Sequence, residues 1–172
     1  MAKVHHASAT QPLPIDAPVR RRLPILLRRA WYGLNQAFRR RIAHTGATPD
    51  QFTVLRNLVE GDAEGLTQCQ LSELMSSDPN TIASLLERME KIGWIQRQRH
   101  ERDRRAYRIR LKPAGQRKFQ EVREVAVGLQ TEVLSVLTDV EREEFLAQLD
   151  LIANACRGAA EKSTGREKPP DK

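Results

Sequence analysis

The sequence predicts a mainly α-helical protein that carries one short β-hairpin. Residues that favour helices are abundant, whereas aromatic residues make up only 5% of the chain and runs of β-branched residues are scarce. Along most of the 172 residues, apolar positions recur at intervals of three and four, which is the period of a helix. Over one short stretch they alternate with polar residues instead, as they do in a strand.

A long first helix is expected to begin near Pro18 or Pro24 and to end at about His44. Its apolar positions share one helical face because they are spaced by three or four: Leu27, Trp31, Leu34, Phe38 and Ile42. Residues 1–17 contain prolines among small and polar residues, so we expect a flexible arm there.

Capping sequences predict where the later helices begin. A hydroxyl residue precedes Glu or Gln by three positions, the spacing of a capping box, at three pairs: Thr48 with Gln51, Thr67 with Gln70, and Thr138 with Glu141. Asp78 and Pro79 predict another helix start, and Gly93 predicts the left-handed residue that ends this helix. The apolar faces of the three middle helices are expected to consist of Phe52, Leu55, Leu58 and Val59, then Leu71 and Leu74, then Ile82, Leu85, Leu86 and Met89.

A helix-turn-helix with a wing follows from the spacing of these elements. The helices that start at Thr67 and Asp78 are separated by only four residues, which is the skeleton of a helix-turn-helix. Behind them, residues 94–99 and 106–111 alternate as strands do, and an arginine-rich turn joins them. We therefore expect a winged helix-turn-helix DNA-binding domain over residues 47–111.

The last third of the chain predicts two long helices whose apolar stripes need a partner. The stripes are Phe119, Val122, Ala126, Leu129, Val133 and Val136, and then Phe145, Leu149, Ile152 and Cys156. Because such stripes lie outside the DNA-binding module, we expect residues 18–46 and 112–160 to form the helical dimerisation region of a homodimer. Residues 161–172 are expected to be a disordered tail.

The charge distribution indicates an anionic partner. The net charge is +7 and the isoelectric point is about 9.9, which favours either nucleic acid or a membrane surface. Residues 97–118 concentrate ten Lys and Arg against two acids, around the predicted wing. Since no apolar stretch approaches the roughly 20 residues of a bilayer span and no secretory leader is visible, we expect double-stranded DNA as partner, no membrane, and a cytoplasmic protein.

Sites for redox, metal or catalytic chemistry are not expected. The cysteines, Cys69 and Cys156, are far apart and form no CxxC, and we interpret both as small buried apolar residues. A thiol-redox switch at Cys69 is the alternative, although no basic neighbour in sequence would lower its pKa. The chain lacks a phosphate-cradling glycine loop, a nucleophile elbow and an HExxH motif, so neither an enzyme nor a cofactor is predicted.

Four segments in the correct order resemble the MarR family of multiple-antibiotic-resistance-type regulators. They are Thr48–Leu55, Leu66–Leu74, Asn80–Ile95, and Asp103-Arg104-Arg105 followed by Leu111 and Gly115, and the resemblance extends over roughly residues 20–158. Two positions differ from the family: Ser84 stands where an arginine is common, and Lys112 replaces a threonine cap. The first difference implies a different base preference, and the second a small local loss of stability.

The expected DNA contacts lie on the outward face of the second helix of the helix-turn-helix and at the wing tip. With its apolar side committed to the core, this helix presents Asn80, Thr81, Ala83, Ser84 and Arg88 to the major groove; the alternative is an ordinary solvated face. At the wing tip, Arg102, Arg104 and Arg105 suit the minor groove; the alternative is a solubilising loop. The resemblance implies that Asp103 orients an arginine. Residues 39–41, all arginine, either contact phosphates or complement the helix dipole.

The resemblance also implies a small effector, often phenolic or carboxylic, that alters the spacing of the two DNA-reading helices. Its candidate pocket residues are Arg28, Trp31, Tyr32 and His44, because an arginine among aromatic rings suits an aromatic acid; the alternative makes Trp31 a core anchor. The expected function is a sequence-specific repressor on a pseudo-palindromic operator. The other hypotheses are a non-specific architectural DNA-binding protein, the Cys69 redox regulator, and a winged helix that docks another protein.

Overall fold

The computed structural model describes residues 22–99 and 107–164, which form six α-helices, one 3-10 turn and three strands. In chain order these are α1 (Leu23–Arg41), the 3-10 turn (Ala43–Thr45), α2 (Pro49–Glu60), β1 (Leu66–Thr67), α3 (Gln68–Leu74), α4 (Pro79–Ile92), β2 (Ile95–Arg99), β3 (Tyr107–Leu111), α5 (Pro113–Leu134) and α6 (Asp139–Thr164). The mainly helical fold class with a winged helix-turn-helix is confirmed.

The predicted caps explain why the helices start where they do. Thr48 accepts from the backbone of Gln51 at 3.2 Å, while the Gln51 side chain accepts from the backbone of Thr48 at 2.9 Å. The same reciprocal pair forms between Thr67 and Gln70 at the start of α3. Each box satisfies two backbone donors that a helix start leaves without an intrahelical acceptor.

A three-ring cluster joins α1, α2 and α5 in the core. The ring of Phe52 lies edge-on to Phe38, with centroids 5.4 Å apart, and stacks on Phe119 at 5.7 Å. Phe52 and Phe119 are almost fully buried. Because offset and edge-to-face arrangements of this kind are favourable, the cluster fixes the DNA-binding module against the first helix and the start of the fifth.

The sheet has the order β1-β3-β2, and all its pairs are antiparallel. Ile95 pairs with Leu111 and Arg99 with Tyr107 in the hairpin, while Leu66 pairs with Ile109 on the other edge. The hairpin confirms the predicted wing strands. The two-residue strand β1 was not predicted, because so short a segment carries no alternation that a pattern could reveal.

The chain forms two compact units that divide within α5, after Val125. The second unit contains the end of α5 and all of α6, and Thr138 and Glu141 form the predicted capping box between them. Arg142 donates from its guanidinium to the carbonyl of Leu134 at 2.9 Å, which satisfies one orphan acceptor at the end of α5.

Several predicted boundaries and burials are wrong. The first helix ends at Arg41 instead of His44, since a 3-10 turn follows it, and α6 continues through the first four residues of the predicted tail. Leu74, predicted to face inward, is 58% exposed because α3 ends at this residue. Cys69 and Cys156, predicted to be buried, are both exposed. Residues 1–17 lie outside the described part of the chain.

The described helices provide no membrane span, since none of them is both long and apolar enough. The described residues also contain no group of three His, Cys, Asp or Glu side chains able to hold a metal ion.

Candidate nucleic-acid interface

Helix α4 has one buried side and one exposed side, as the sequence predicts. Its buried side chains are Ile82, Leu85, Leu86 and Met89, each less than 5% exposed. Asn80, Thr81, Ser84 and Arg88 are exposed, and Ala83 is half-buried. The side chains predicted to reach the major groove therefore share the solvent side of a helix whose other side is anchored in the core.

The start of α4 is held by the carboxylate of Asp78. One of its oxygens accepts from the backbone N–H of Asn80 at 3.0 Å and from that of Thr81 at 2.9 Å, while the other accepts a short hydrogen bond from the Thr81 hydroxyl. The Thr81 hydroxyl and the backbone donors hold the pKa of Asp78 below its ordinary value. The hydroxyl of Thr81 is thus already committed to the cap, and its methyl group is left for a base contact.

The turn between α3 and α4 is fixed by two features that the sequence pattern did not reveal. Gln68, at the start of α3, donates from its side-chain amide to the carbonyl of Pro79 at 3.0 Å. Ser76, in the turn, has a φ of 48°, which is a left-handed conformation that non-glycine residues seldom adopt. A hydrogen bond across eleven positions has no sequence signal, so only the folded turn shows it.

The wing is braced at both of its strands. Glu90, near the end of α4, accepts from the backbone N–H of Arg97 on β2 at 3.0 Å, and its other oxygen lies 3.1 Å from the Arg97 Nε. On β3, Arg108 donates to the carbonyl of Gly65 at 3.2 Å, and Arg110 donates to the carbonyl of Glu64 at 2.9 Å and also pairs with its carboxylate.

These contacts change the interpretation of the basic block at residues 97–118. Arg97, Arg108 and Arg110 brace the wing, and Lys118 donates to the carbonyl of Thr45 at 2.7 Å. Four of the ten cations therefore have structural roles. The predicted tip residues Arg102, Asp103, Arg104 and Arg105 lie outside the described residues.

A cleft of about 340 Å³ lies between the end of α1, the start of α2 and α4. Its lining contains two arginines, Arg39 from α1 and Arg88 from α4, together with Asn35, Thr48, Pro49, Asp50, Gln51 and Leu85. From the sequence, Arg39 was expected to contact phosphates or to complement the helix dipole, and Arg88 was expected to face the major groove. What the sequence did not predict is that the fold brings them to one cleft, because they lie 49 positions apart.

The candidate effector residues do not line this cleft. Arg28, Trp31 and Tyr32 are exposed on α1, and His44 is exposed on the 3-10 turn. Trp31 is 66% exposed, so the alternative interpretation of Trp31 as a core anchor is wrong for the single chain.

The thiol of Cys69 is exposed and donates to the carboxylate of Glu73 at 3.5 Å. Hydrogen bonding to Glu73, and the repulsion between its charge and a thiolate, raise the pKa of Cys69 above its ordinary value. A reactive cysteine requires the opposite shift, so this environment does not favour the redox alternative.

Comparisons with known proteins agree with this architecture. A family model described as the MarR family matches residues 47–107. The HTH-type transcriptional repressor MdtR of Bacillus subtilis is 29% identical over 114 residues, which is 66% of this chain and 70% of that protein.

Solved structures of this fold include complexes. The transcriptional regulator MOSR of M. tuberculosis, in complex with DNA, superposes with a TM-score of 0.63 at 27% identity and covers 78% of this chain and 97% of that one. CouR from Rhodococcus jostii RHA1, bound to p-coumaroyl-CoA, has a TM-score of 0.69 at 24% identity. The match covers 76% of this chain and 90% of that one. Residues 47–107 therefore match the MarR family, and the relatives that the chain resembles are transcriptional regulators.

Proposed function

We propose that the protein is a sequence-specific DNA-binding repressor that acts as a homodimer on a pseudo-palindromic operator and is released by a small aromatic acid. The observation that carries this proposal is the division of α4, which buries Ile82 and Leu86 completely and leaves Asn80 and Ser84 in solvent. A helix anchored in this way can enter the major groove without losing core packing.

Neutral hydrogen-bonding residues on this face favour a sequence-specific function. Asn80 can pair in a bidentate manner with adenine, and Ala83 suits the methyl group of thymine. In this proposal, Arg102, Arg104 and Arg105 contact the minor groove, and Asp103 orients one arginine. Glu90 holds the first wing strand, β2, against α4. An architectural protein would instead need positive charge throughout this face.

Exposed apolar side chains support a homodimer that uses the terminal helices, within residues 18–46 and 112–160. On α1 they are Leu23, Ile25, Leu26, Trp31 and Leu34, and on α6 they are Val140, Phe145, Leu146 and Leu151. Such stripes are costly to expose to water, and a second copy of the chain would cover them symmetrically. Two copies would also double the base contacts of the module at residues 47–111, on half-sites about 34–36 Å apart.

The proposed effector site is the α1 surface that carries Arg28, Trp31 and Tyr32, with His44 nearby in sequence. An arginine among aromatic rings suits an aromatic carboxylate. The similar protein CouR was solved bound to p-coumaroyl-CoA. Repression is proposed because the relative MdtR is named a transcriptional repressor.

The test is to select bound duplexes from a random pool and to compare the affinity for the selected sequence with that for a scrambled one. We expect a specificity ratio of about 10³ or more, with protection of two half-sites. Equal affinity for both duplexes would favour the architectural alternative. Addition of 4-hydroxybenzoate should release the wild-type protein and have less effect on Arg28→Gln.

A further inference from the structure

Two arginines in the cleft between α1, α2 and α4 have no partner among the described residues. Some arginines of the first unit are paired: Arg97 lies 3.1 Å from Glu90, and Arg110 contacts Glu64. In contrast, neither Arg39 nor Arg88 makes an ion pair or a hydrogen bond within the described ranges, although both line the same cleft. Two unpaired guanidinium groups beside one cavity suit an anion with several acceptor oxygens.

We propose that this cleft binds one backbone phosphate of DNA, shared between Arg39 and Arg88. The inference rests on the proposed function, because it requires α4 to lie in the major groove. It adds α1 to the DNA interface and assigns Arg88 to a phosphate instead of a base edge in the major groove. Asn35, which also lines the cleft, supplies a neutral amide donor.

The position of Arg88 on α4 favours a duplex over a free anion. Asn80, Ser84 and Arg88 are spaced by four, so they share one face of the helix. Arg88 lies about 12 Å along the axis from Asn80, since each helical residue rises about 1.5 Å. With Asn80 at the base edges, that distance takes Arg88 toward the rim of a groove about 12 Å wide, where the phosphates lie.

Asp50 explains why the cleft would hold a phosphate only in the context of DNA. It occupies the first turn of α2, where its charge stabilises the helix start, and it lines the same cleft. The two arginines and this carboxylate leave a net charge of +1, so an isolated phosphate gains little there. A phosphate positioned by the neighbouring α4 contacts does not need high intrinsic affinity.

The arrangement would couple the proposed effector surface to DNA binding. Trp31 and Asn35 are one turn apart on α1, and Asn35 and Arg39 are again one turn apart. A displacement of α1 caused by a ligand at Trp31 would therefore also displace Arg39, and any displacement that lengthens its contact with the phosphate would weaken the complex.

The salt dependence of DNA affinity tests this proposal. Each lost phosphate contact should reduce the slope of log K against log salt by about 0.9. Because both residues serve one phosphate, we expect a loss of about 0.9 in total for the Arg39→Gln/Arg88→Gln double variant. Each single variant should lose less, because the other arginine still contacts the phosphate. Arg39→Lys should retain the slope. Arg40→Gln, an exposed neighbour outside the cleft, is the matched control and should lose less than half as much.

Asp50→Asn should change the DNA affinity in the direction opposite to the arginine variants. Removal of its charge should raise DNA affinity severalfold while circular dichroism shows an unchanged fold. A slope for Arg39→Gln equal to that of Arg40→Gln would overturn the shared site while leaving the proposed function intact. So would a loss of about 1.8 in the double variant, which is the value for two separate phosphates. The shared site would also be excluded if millimolar inorganic phosphate shifted the Arg39 side-chain NMR signal while Arg39→Gln left the DNA affinity unchanged. Wild-type protein that fails to distinguish selected from scrambled duplex would refute the proposed function itself.

Discussion

Glu90 holds Arg97 at two points, through a 3.0 Å hydrogen bond from the backbone N–H and a 3.1 Å approach to the side-chain Nε. The two residues belong to different elements, the last turn of α4 and the first wing strand β2. A single carboxylate thus connects the first wing strand to α4, the helix that we propose reads DNA.

Glu90→Ala should therefore weaken both folding and DNA binding. The free energy of unfolding should fall by about 1 kcal/mol, since a partly exposed, charge-assisted hydrogen bond is lost. DNA affinity should fall as well, because the wing loses its brace. Urea unfolding and fluorescence anisotropy with labelled duplex measure the two effects.

Glu87→Ala is the matched control on the same helix. Glu87 pairs with Lys91 at 2.8 Å, but both side chains are largely in solvent. We expect no measurable change in unfolding for this variant. If Glu87→Ala and Glu90→Ala behaved alike, the brace would have no special role.

Gly115 permits the close approach of α5 to the residue that precedes the wing. A Cβ at Gly115 would lie 2.2 Å from the carbonyl oxygen of Trp94 and 2.8 Å from Leu111 Cδ1. Gly115→Ala should therefore destabilise the protein by about 1–3 kcal/mol, because backbone has to move.

Gly128 lies in the same helix with nothing within 4 Å of its would-be Cβ. Gly128→Ala should raise the unfolding free energy by up to about 1 kcal/mol, since alanine restricts the unfolded chain and favours the helix. Thermal unfolding of the two variants should therefore shift in opposite directions. A stabilised Gly115→Ala protein would contradict the packing described for Trp94.

The sequence identified the parts of this site that depend on local spacing. The capping boxes at Thr48 and Thr67 follow from residues three positions apart, and the cap at Asp78 follows from the adjacent Pro79. The buried side of α4 follows from the helical period, so these features were predictable. Contacts across long separations were not. The bond from Gln68 to Pro79 and the convergence of Arg39 with Arg88 depend on how helices pack, and no periodic pattern encodes that.

The errors have a common physical origin. Leu74 and Cys69 were assigned to the core from residue type alone, yet α3 has only seven residues and buries only Leu71 and Ser72. On so short a helix, moving the last helical residue by one position changes which side chains are buried. Apolar character therefore predicted burial well on α4 and poorly on α3.

The environment of Cys69 predicts that its thiol reacts slowly with alkylating reagents at neutral pH. Glu73→Gln should lower the pKa of Cys69 toward its ordinary value and accelerate its reaction with iodoacetamide at neutral pH, because the thiolate no longer faces a carboxylate. The rate should be measured in a Cys156→Ser background, so that one thiol reports. Equal rates with and without Glu73 would contradict the assigned contact, and loss of DNA binding in Cys69→Ser would revive the redox alternative.

The cap of α4 predicts a dependence of stability on pH. The pKa of Asp78 is lowered in the folded protein, so its stabilisation is complete above the unfolded value of about 4 and is lost as the pH falls through the lower folded value. Asp78→Ala should therefore have a lower free energy of unfolding than wild type at neutral pH. This difference should decrease in acid below about pH 4. If urea unfolding showed the same difference in free energy of unfolding at acid and neutral pH, the Asp78 carboxylate would not be the source of that difference.

The most direct measurement is the specificity ratio, the affinity for the selected duplex divided by that for a scrambled one, in the variant Asn80→Ala. A lost bidentate base contact should reduce this ratio about tenfold or more while the salt slope stays that of wild type. The control variant Asn57→Ala, on α2, should retain the full ratio. An Asn80→Ala protein that discriminates the two duplexes as well as wild type does would contradict the conclusion that the exposed side of α4 reads the operator.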